Sequence, residues 1–378
     1  MENNRSIESS IEKYAINFNE NAILKRYDPV FYRNIEIKKV IETLCRRIKN
    51  NVILLGHPGV GKTAIIECIA QMIVQNEVPD ALKNKKIYGI KMSTMLAGTS
   101  YRGEFEERAE QLLKEICNSD VILFIDELHT IMKAGASEGS VDFVNLLKPF
   151  IARGDIQLIG ATTFMEYSTS ISLDKALDRR FHKITIEEPK DYITYLIIKK
   201  LKYRYEEFYK VLISDEAILE AIHLTRNIPD SYFPDKAIDL IDLACSSLVM
   251  DNEFRYSDQL IELEYQEDFH AHLIEDPLFK NIFKETNDID ILSLKKTKKR
   301  IIETFDINRK NFIEQKNKLK LLNTYKKEAN SMKKQGYESK STEILDVIVP
   351  SIINEIQENK IELTKDFINL FYTKKYGR

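Results

Sequence analysis

The stretch that most constrains the fold of this 378-residue chain is only eight residues long. Gly56-His57-Pro58-Gly59-Val60-Gly61-Lys62-Thr63 follows the apolar run Val52 to Leu55 and precedes "AIIECIAQMIV", so GxxxxGK[ST] stands in a strand, loop, helix setting. Few chemistries fit that setting. The N–H groups of a glycine loop and of a helix N-terminus converge into an anion cradle; Lys62 is placed for β and γ phosphates, and the Thr63 hydroxyl for Mg²⁺. The expected fold class is α/β, with phosphates bound where the strands of a parallel sheet end.

What happens to the phosphate depends on further elements. "VILFIDELHT" reads as an apolar strand delivering Asp126 and Glu127 at its polar end. Asp126 is the candidate to hold Mg²⁺ through water, and Glu127 to position or deprotonate an attacking water. A third apolar strand, "IQLIGATT" from Ile156, ends in Thr162 and Thr163, whose hydroxyls suit either the γ phosphate or that water. "ALDRRF" then sets Arg179 and Arg180 side by side without an acidic run to neutralise both; arginine stabilises transferring phosphate charge and can be supplied in trans.

Composition excludes several alternatives. The net charge of -3, from 56 Lys and Arg against 59 Asp and Glu, gives no overall basic field for nucleic acid. Four scattered cysteines (Cys45, Cys68, Cys117, Cys245) have neither metal-ligand nor disulfide spacing, which favours a reducing compartment. The longest apolar runs fall far short of the ~20 residues of a membrane span, and "MENNRSIESS" lacks the apolar core of a secretory leader. No nucleic acid and no membrane are expected as partners. Abundant Ile, Lys and Asn resemble the drift of an AT-rich genome, so the expected location is cytoplasmic or an organelle interior such as a plastid or mitochondrion, not secreted. Glycine is scarce, yet ten of the 12 glycines lie between Gly56 and Gly160, where the working loops are expected.

Seven blocks now stand in order: "IEKYAINFNENAILKRYDPVFYR", "GHPGVGKTAIIECIAQMIV", "LAGTSYRGEFEER", "VILFIDELHTI", "LIGATTFMEY", "ALDRRF" and "FPDKAIDLIDLA". From about Ile11 to Met250 they resemble the first ATPase domain of the Clp unfoldases, within the AAA+ superfamily. The resemblance implies an AAA+ P-loop αβα domain with a small helical lid, followed by a mostly helical coiled-coil arm. It implies ATP and Mg²⁺, assembly into a ring that is commonly a hexamer, and an unfolded or aggregated polypeptide as substrate. By match to the family, Thr163 is the sensor threonine, Arg179 and Arg180 are arginine fingers reaching the neighbouring subunit's ATP, and Tyr101 with Arg102 lies on a pore loop that grips polypeptide. Phe31 belongs to "DPVFYR", the segment that contacts adenine, and is carried over as an ATP-binding residue. "AGASEGSVDF" from Ala134 looks like the second pore loop, although a plain surface loop reads the same.

Three positions depart from the family or carry less weight. Ser100 stands where a Lys usually precedes the pore tyrosine, and Tyr32 stands where the adenine segment usually has Gly. Lys236 is near the usual second sensor position but reads as an ordinary surface lysine.

The rest is organised by periodicity. Apolar residues at three and four spacing predict lid helices starting at Ser214 and Pro234. Phe305, Phe312 and Leu319 step by seven, as do Leu322 and Ala329, which predicts either an antiparallel coiled-coil arm or an ordinary amphipathic helix. The expected boundaries are 1–27, N-terminal arm and linker; 28–186, large αβα domain; 187–250, lid; 251–360, middle domain; and 361–378, a helix closing the ATPase module. The long arm resembles ClpB-type disaggregases, with the ClpC type as second choice. The expected function is an ATP-hydrolysing unfoldase or disaggregase module. The alternatives are an ATP-binding regulatory or scaffold subunit of a split Clp chaperone, or the unfoldase subunit of a Clp protease. A partner chaperone or a second Clp chain is a possible companion, and the chain is expected to be a fragment or a reduced or split protein.

Overall fold

The computed structural model describes residues 10–90, 94–95, 102–117, 119–133, 143–254, 258–275, 291–335, 337–357 and 360–377. Two compact units divide them: Met1–Leu201 with Ile228–Lys236, and Lys202–Asn227 with Ala237–Arg378.

In the first unit β2 (Asn51–Leu55), β4 (Val121–Ile125) and β5 (Gln157–Thr162) are almost entirely buried, and β3 (Lys86–Ile90) and β6 (Phe181–Thr185) join them in one sheet. The order is β1-β3-β4-β5-β2-β6, parallel throughout except for β1 (Ala15–Asn17), which is antiparallel to β3. Strand side chains alternate between faces, so one sheet serves two cores. Ile53, Leu55, Leu123, Ile125 and Leu158 enter a core with residues of α1 (Ser10–Tyr14), α5 (Arg102–Cys117), α6 (Leu128–Lys133) and α7 (Phe143–Arg153). Val52, Leu54, Ile122, Phe124 and Ile159 enter the other, with α2 (Phe18–Ile23), α3 (Asn34–Leu44) and α4 (Lys62–Val74). Continuous apolar strands are what a parallel sheet covered on both faces requires.

The expectation of an N-terminal arm and linker over 1–27 is corrected from Ser10 onward. Ile11, Tyr14 and Phe18 are buried in the cores, and the Asn19 side chain donates to the Lys85 carbonyl and accepts from the Ile87 amide. β1 covers what would otherwise be the open edge of β3. The division into compact units also differs from the expected cuts at 186/187 and 250/251. It falls inside α10 (Asp191–Tyr209) and inside α12 (Asp235–Glu253), because each helix continues without a break across the expected or actual boundary.

Among the described residues the second unit is built of helices and one two-stranded sheet. Ser214 caps α11 (Asp215–Thr225) by accepting from the Ala217 amide, and Thr364 caps α17 (Lys365–Tyr376) by accepting from the Phe367 amide. Before each cap stands a two-residue strand: β7 (Leu212–Ile213) pairs in parallel with β8 (Glu362–Leu363), and α11 packs on α17. Between them lies α14 (Ile291–Lys334), a helix of 44 residues. Phe305, Phe312, Leu319, Leu322 and Ala329 are its buried apolar positions among the described residues, as their seven-residue steps predict, and Gln315, also buried, donates to the Ile361 carbonyl at 2.8 Å. Its registers are antiparallel on both sides. Lys298 pairs with Glu264 and Glu267 of α13 (Asp258–Glu275) and Lys316 with Glu253; toward the other end Lys318 pairs with Glu355, and Ser341 donates to the Ala329 carbonyl. The return path runs through α15 (Glu338–Glu343), a wide π turn at Ile344–Ile348, and α16 (Val349–Gln357). Pro350 explains the wide turn: it lacks an N–H and its ring would clash with the Asp346 carbonyl in an ordinary α turn.

Candidate nucleotide site

The phosphate loop is built from strand ends. The Gly56 amide donates to the Thr162 carbonyl at 3.2 Å, so β5 fixes where the loop leaves β2. Gly59 and Gly61 have φ of +76° and +92°, a region that favours glycine, and Gly61 is the residue from which α4 starts. A Cβ on Gly59 would also lie 2.8 Å from the Asp235 Cβ, so the position is closed to larger residues twice over. His57 and Pro58 are exposed at the loop's tip, while Val60 is buried beneath it.

Two side chains hold the loop from inside. Lys62 Nζ donates to the Gly56 carbonyl at 2.9 Å and the His57 carbonyl at 2.8 Å. Burial lowers its pKa from the ordinary lysine value, against the pull of Asp126, Glu166 and Glu127, all of which act on this ammonium. Arg33, only 7% exposed, donates from Nη2 to the Val60 carbonyl at 2.8 Å and from Nη1 to Glu36 at 3.0 Å. Nothing in the sequence marked Arg33, because its partner is 27 residues away.

Thr63 Oγ1 donates to Asp126 Oδ2 at 2.9 Å, which joins the two metal-binding candidates directly. A hydroxyl and a carboxylate are the hard oxygen donors that suit Mg²⁺, a cation that keeps several waters and takes phosphate oxygens as well. Asp126 Oδ1 accepts from the Glu127 amide at 3.0 Å. Glu127 has φ of +51°, a left-handed conformation that costs a non-glycine residue about 1–3 kcal/mol, and its side chain is exposed at the end of β4.

At the end of β5, Thr163 caps α8 (Phe164–Thr169) in a capping box with Glu166. Glu166 Oε2 accepts from Thr162 Oγ1, Thr163 N and Thr163 Oγ1 at 3.1, 3.0 and 2.8 Å. His129 Nδ1 lies 3.1 Å from the same oxygen. Burial opposes the charge on Glu166, but these bonds and His129 outweigh it and hold its pKa below the ordinary carboxylate value. Thr-x-x-Glu is a helix-start pattern, so Glu166 was open to recognition as a capping residue.

Arg179 and Arg180 follow α9 (Lys175–Asp178), whose N-cap Asp174 accepts from the Ala176 and Leu177 amides and pairs with Lys148 at 2.7 Å. The neighbouring carboxylate, Asp178, is taken by Tyr167 and Lys183. Both guanidinium groups are exposed, and among the described residues neither has a hydrogen bond or ion pair. The chain therefore brings Lys62, Thr63, Asp126, Glu127, Thr163 and Glu166 together and leaves both arginines outside that set. Arg102 opens α5; Tyr101, Ser100 and residues 134–142 lie outside the described residues.

The proposed adenine segment contains an informative backbone angle. Tyr32 has φ of +59°, which accounts for the glycine expected there. Lys200 lies over both rings of the segment, 5.1 Å from the Phe31 centroid and 5.7 Å from that of Tyr32. On the other side of the loop, His57 stacks on Tyr232 with centroids 4.0 Å apart. The reading of Lys236 as a surface lysine is corrected: it is 8% exposed, lies over the Phe233 ring at 4.1 Å and faces Glu188 at 3.6 Å. Glu188 is fixed because it also accepts from the Phe233 amide. Glu67, one turn into α4, is pushed up to about 7 by burial and by Asp28.

This arrangement has known relatives. Residues 52–188 match the AAA family, ATPases associated with various cellular activities, and residues 190–276 match an AAA lid domain. The chain is 49% identical over 245 residues to the chaperone protein ClpB of Bacteroides thetaiotaomicron, covering 64% of this chain and 28% of that protein. It is 53% identical over 223 residues to the ATP-dependent Clp protease ATP-binding subunit ClpC of Staphylococcus aureus, covering 58% and 27%. The chain therefore carries an AAA domain followed by an AAA lid domain, and this stretch is similar to the corresponding part of the ClpB and ClpC proteins. Beyond the matched domains, its structure is similar to that of the S. cerevisiae Hsp104-ADP complex, with a TM-score of 0.71, 29% identity, and coverage of 97% of this chain and 55% of that one. A closed state of Hsp104 with ATPγS and FITC casein gives a TM-score of 0.59 at 41% identity, over 64% of this chain and 41% of that chain. The alignments thus span about a third or less of the curated relatives.

Proposed function

We propose that this chain binds ATP with Mg²⁺ at the loop 56–63, hydrolyses it, and uses the cycle to draw unfolded or aggregated polypeptide through a ring of six copies. The observation that carries the reading is the Thr63–Asp126 contact at 2.9 Å with Glu127 beside it, exposed at the strand end. ATP supplies the transferable phosphate when bound. Lys62 and the loop amides bind its phosphates, Thr63 and Asp126 hold Mg²⁺, and Glu127 takes a proton from the attacking water. Arg179 and Arg180, exposed and without an ion pair among the described residues, suit a role in trans, on the nucleotide of the next subunit. Tyr101 supplies an aromatic grip on extended chain, tolerant of side-chain type.

The ClpB type is favoured over the ClpC type by the Hsp104 likeness, which extends over the long helical arm as well as the ATPase. Identity to ClpC in the ATPase keeps a protease-linked unfoldase as the second reading.

The test is Mg²⁺-dependent ATP turnover per chain against protein concentration. Turnover should climb with concentration and collapse in Arg179→Ala, while Tyr101→Ala keeps hydrolysis and loses polypeptide processing. ATP binding without turnover at any concentration would instead make the chain a nucleotide-gated scaffold or regulatory subunit.

A further inference from the structure

The hydroxyls at the end of β5 do not have free choice of hydrogen-bond direction. Glu166 Oε2 accepts from the Thr163 amide at 3.0 Å and its pKa is held below the ordinary carboxylate value, and a carboxylate only accepts. The single hydroxyl hydrogen of Thr163, whose Oγ1 lies 2.8 Å from Glu166 Oε2, therefore points at that oxygen. The Glu166 amide donates to the same Oγ1 at 3.3 Å as part of the helix cap, which occupies one lone pair. One acceptor site remains on Thr163, and no donor. Thr162, 2% exposed, has its Oγ1 3.1 Å from the same carboxylate oxygen and 3.3 Å from His129 Nδ1, so the imidazole tautomer decides which of the two takes its hydrogen. With its hydrogen on Nδ1, the imidazole 3.1 Å from Oε2 would close the bracket, and Oε2 would then share its lone pairs between His129 and the threonines.

We propose that Glu166 is a positioning residue that fixes the Thr163 hydroxyl as a hydrogen-bond acceptor, so that Thr163 holds the attacking water and does not donate to the γ phosphate. This role rests on the hydrolytic reading above. The water then has two acceptors: Thr163 Oγ1 takes one O–H, and the Glu127 carboxylate faces the other. As the water oxygen bonds to the γ phosphorus, the proton on the second O–H passes to Glu127. The bond from phosphorus to the bridging oxygen breaks, and its electron pair leaves with ADP. The O–H directed at Thr163 stays intact throughout, so Thr163 orients the water without exchanging a proton with it. Ile125 of β4 stands in register with Gly160 of β5, so Glu127 and Thr163 leave neighbouring strand ends.

The test replaces the carboxylate by a group that can donate. In Glu166→Gln the amide N–H₂ can face Thr163 Oγ1 and turn the hydroxyl hydrogen outward. In the full chain, kcat for ATP should fall roughly 10- to 100-fold through misplacement of the water. The Kd for a fluorescent ATP analogue should stay within about twofold, a split that a general loss of structure would not produce. In a Thr163→Val background the same change should add nothing, because the residue it acts through is gone. A wild-type kcat in Glu166→Gln, or a loss fully additive with Thr163→Val, would overturn the role. If Glu166→Gln does not fold, His129 gives the second reading: His129→Leu should lower kcat at constant Kd and His129→Asn, which keeps a donor near the Nδ1 position, should restore it; no change in either would overturn the bracket. A wild type that binds ATP and never turns it over, even when assembled, would overturn the hydrolytic reading and this role with it, a result distinct from an active wild type indifferent to Glu166.

Discussion

The phosphate end of the sheet and the helix α14 solve opposite problems. Around Lys62 the groups that hold the loop and the strand ends have specific partners: Arg33 on the Val60 carbonyl, Thr63 on Asp126, Thr162 and Thr163 on Glu166. Along α14 the sequence ILSLKKTKKRIIETFDINRKNFIEQKNKLKLLNTYKKEANSMKK carries 14 Lys or Arg and four Asp or Glu, most of them exposed, and its position is set by one buried stripe. The first region is specified by hydrogen-bond direction and backbone angle, the second by spacing. A substitution in the first should therefore change chemistry more than stability, and in the second the reverse.

The comparison is broken most directly at Glu127. Glu127→Gln should reduce ATP turnover on the order of 10²- to 10⁴-fold while keeping nucleotide bound, because it removes the base and leaves the cradle intact; a drop in affinity of the same size would show that the residue serves binding. Phe312→Ala, at a fully buried site of α14, should cost about 3–5 kcal/mol in chemical unfolding followed by helix signal. A cost near zero would mean that the stripe does not organise the arm. Arg33→Met should weaken ATP binding by roughly tenfold or more, the worth of a buried charged hydrogen bond of about 1.5–3 kcal/mol, as read by a fluorescent analogue. An unchanged Kd would leave the loop standing on Lys62 alone.

Glu67 sharpens the comparison through pH. Its folded pKa is held up to about 7, above an unfolded value of about 4.3, so between them the folded chain binds the extra proton. Its contribution to stability is present below the lower value and lost as pH rises through the upper one. Glu67→Gln should therefore melt higher than wild type at pH 8, with no difference near pH 4. Discounted for partial exposure, the gain is on the order of 1 kcal/mol, about 2–4 °C. An equal shift at both pH values would trace it to packing. The smallest effect is expected at Tyr32→Gly: relief of the left-handed strain is largely offset by the entropy glycine adds to the unfolded chain, leaving a gain of ~0.5 kcal/mol. A loss there would mean that the ring under Lys200 contributes more than the angle costs.

The sequence already disclosed what local pattern encodes. The strand, loop, helix of 51–74, the carboxylates closing β4, the caps at Ser214 and the seven-residue steps of α14 all depend on neighbours within a turn or two. Arg33, Tyr232 and Lys236 stayed hidden because their roles come from residues distant in the chain: Val60, His57 and Glu188. β1 was missed for the same reason. A three-residue strand has no periodicity of its own, and only its pairing with β3 defines it. Tyr32 is intermediate: its departure from glycine was visible, but the reason, φ of +59°, is a property of the backbone.

The pairing of β7 with β8 has a consequence for the order of events during synthesis. Leu212 and Ile213 must wait for Glu362 and Leu363, and α11 for α17, so the ribosome has to deliver everything between them before this small sheet can close. At about 5–20 residues per second that delay lasts on the order of ten seconds. The phosphate-loop unit needs nothing beyond Lys236 and can be complete well before then. Through that interval the apolar faces of α11 and of α14 stand in the nascent chain without their final partners, a period in which a holding chaperone would find its substrate in this protein.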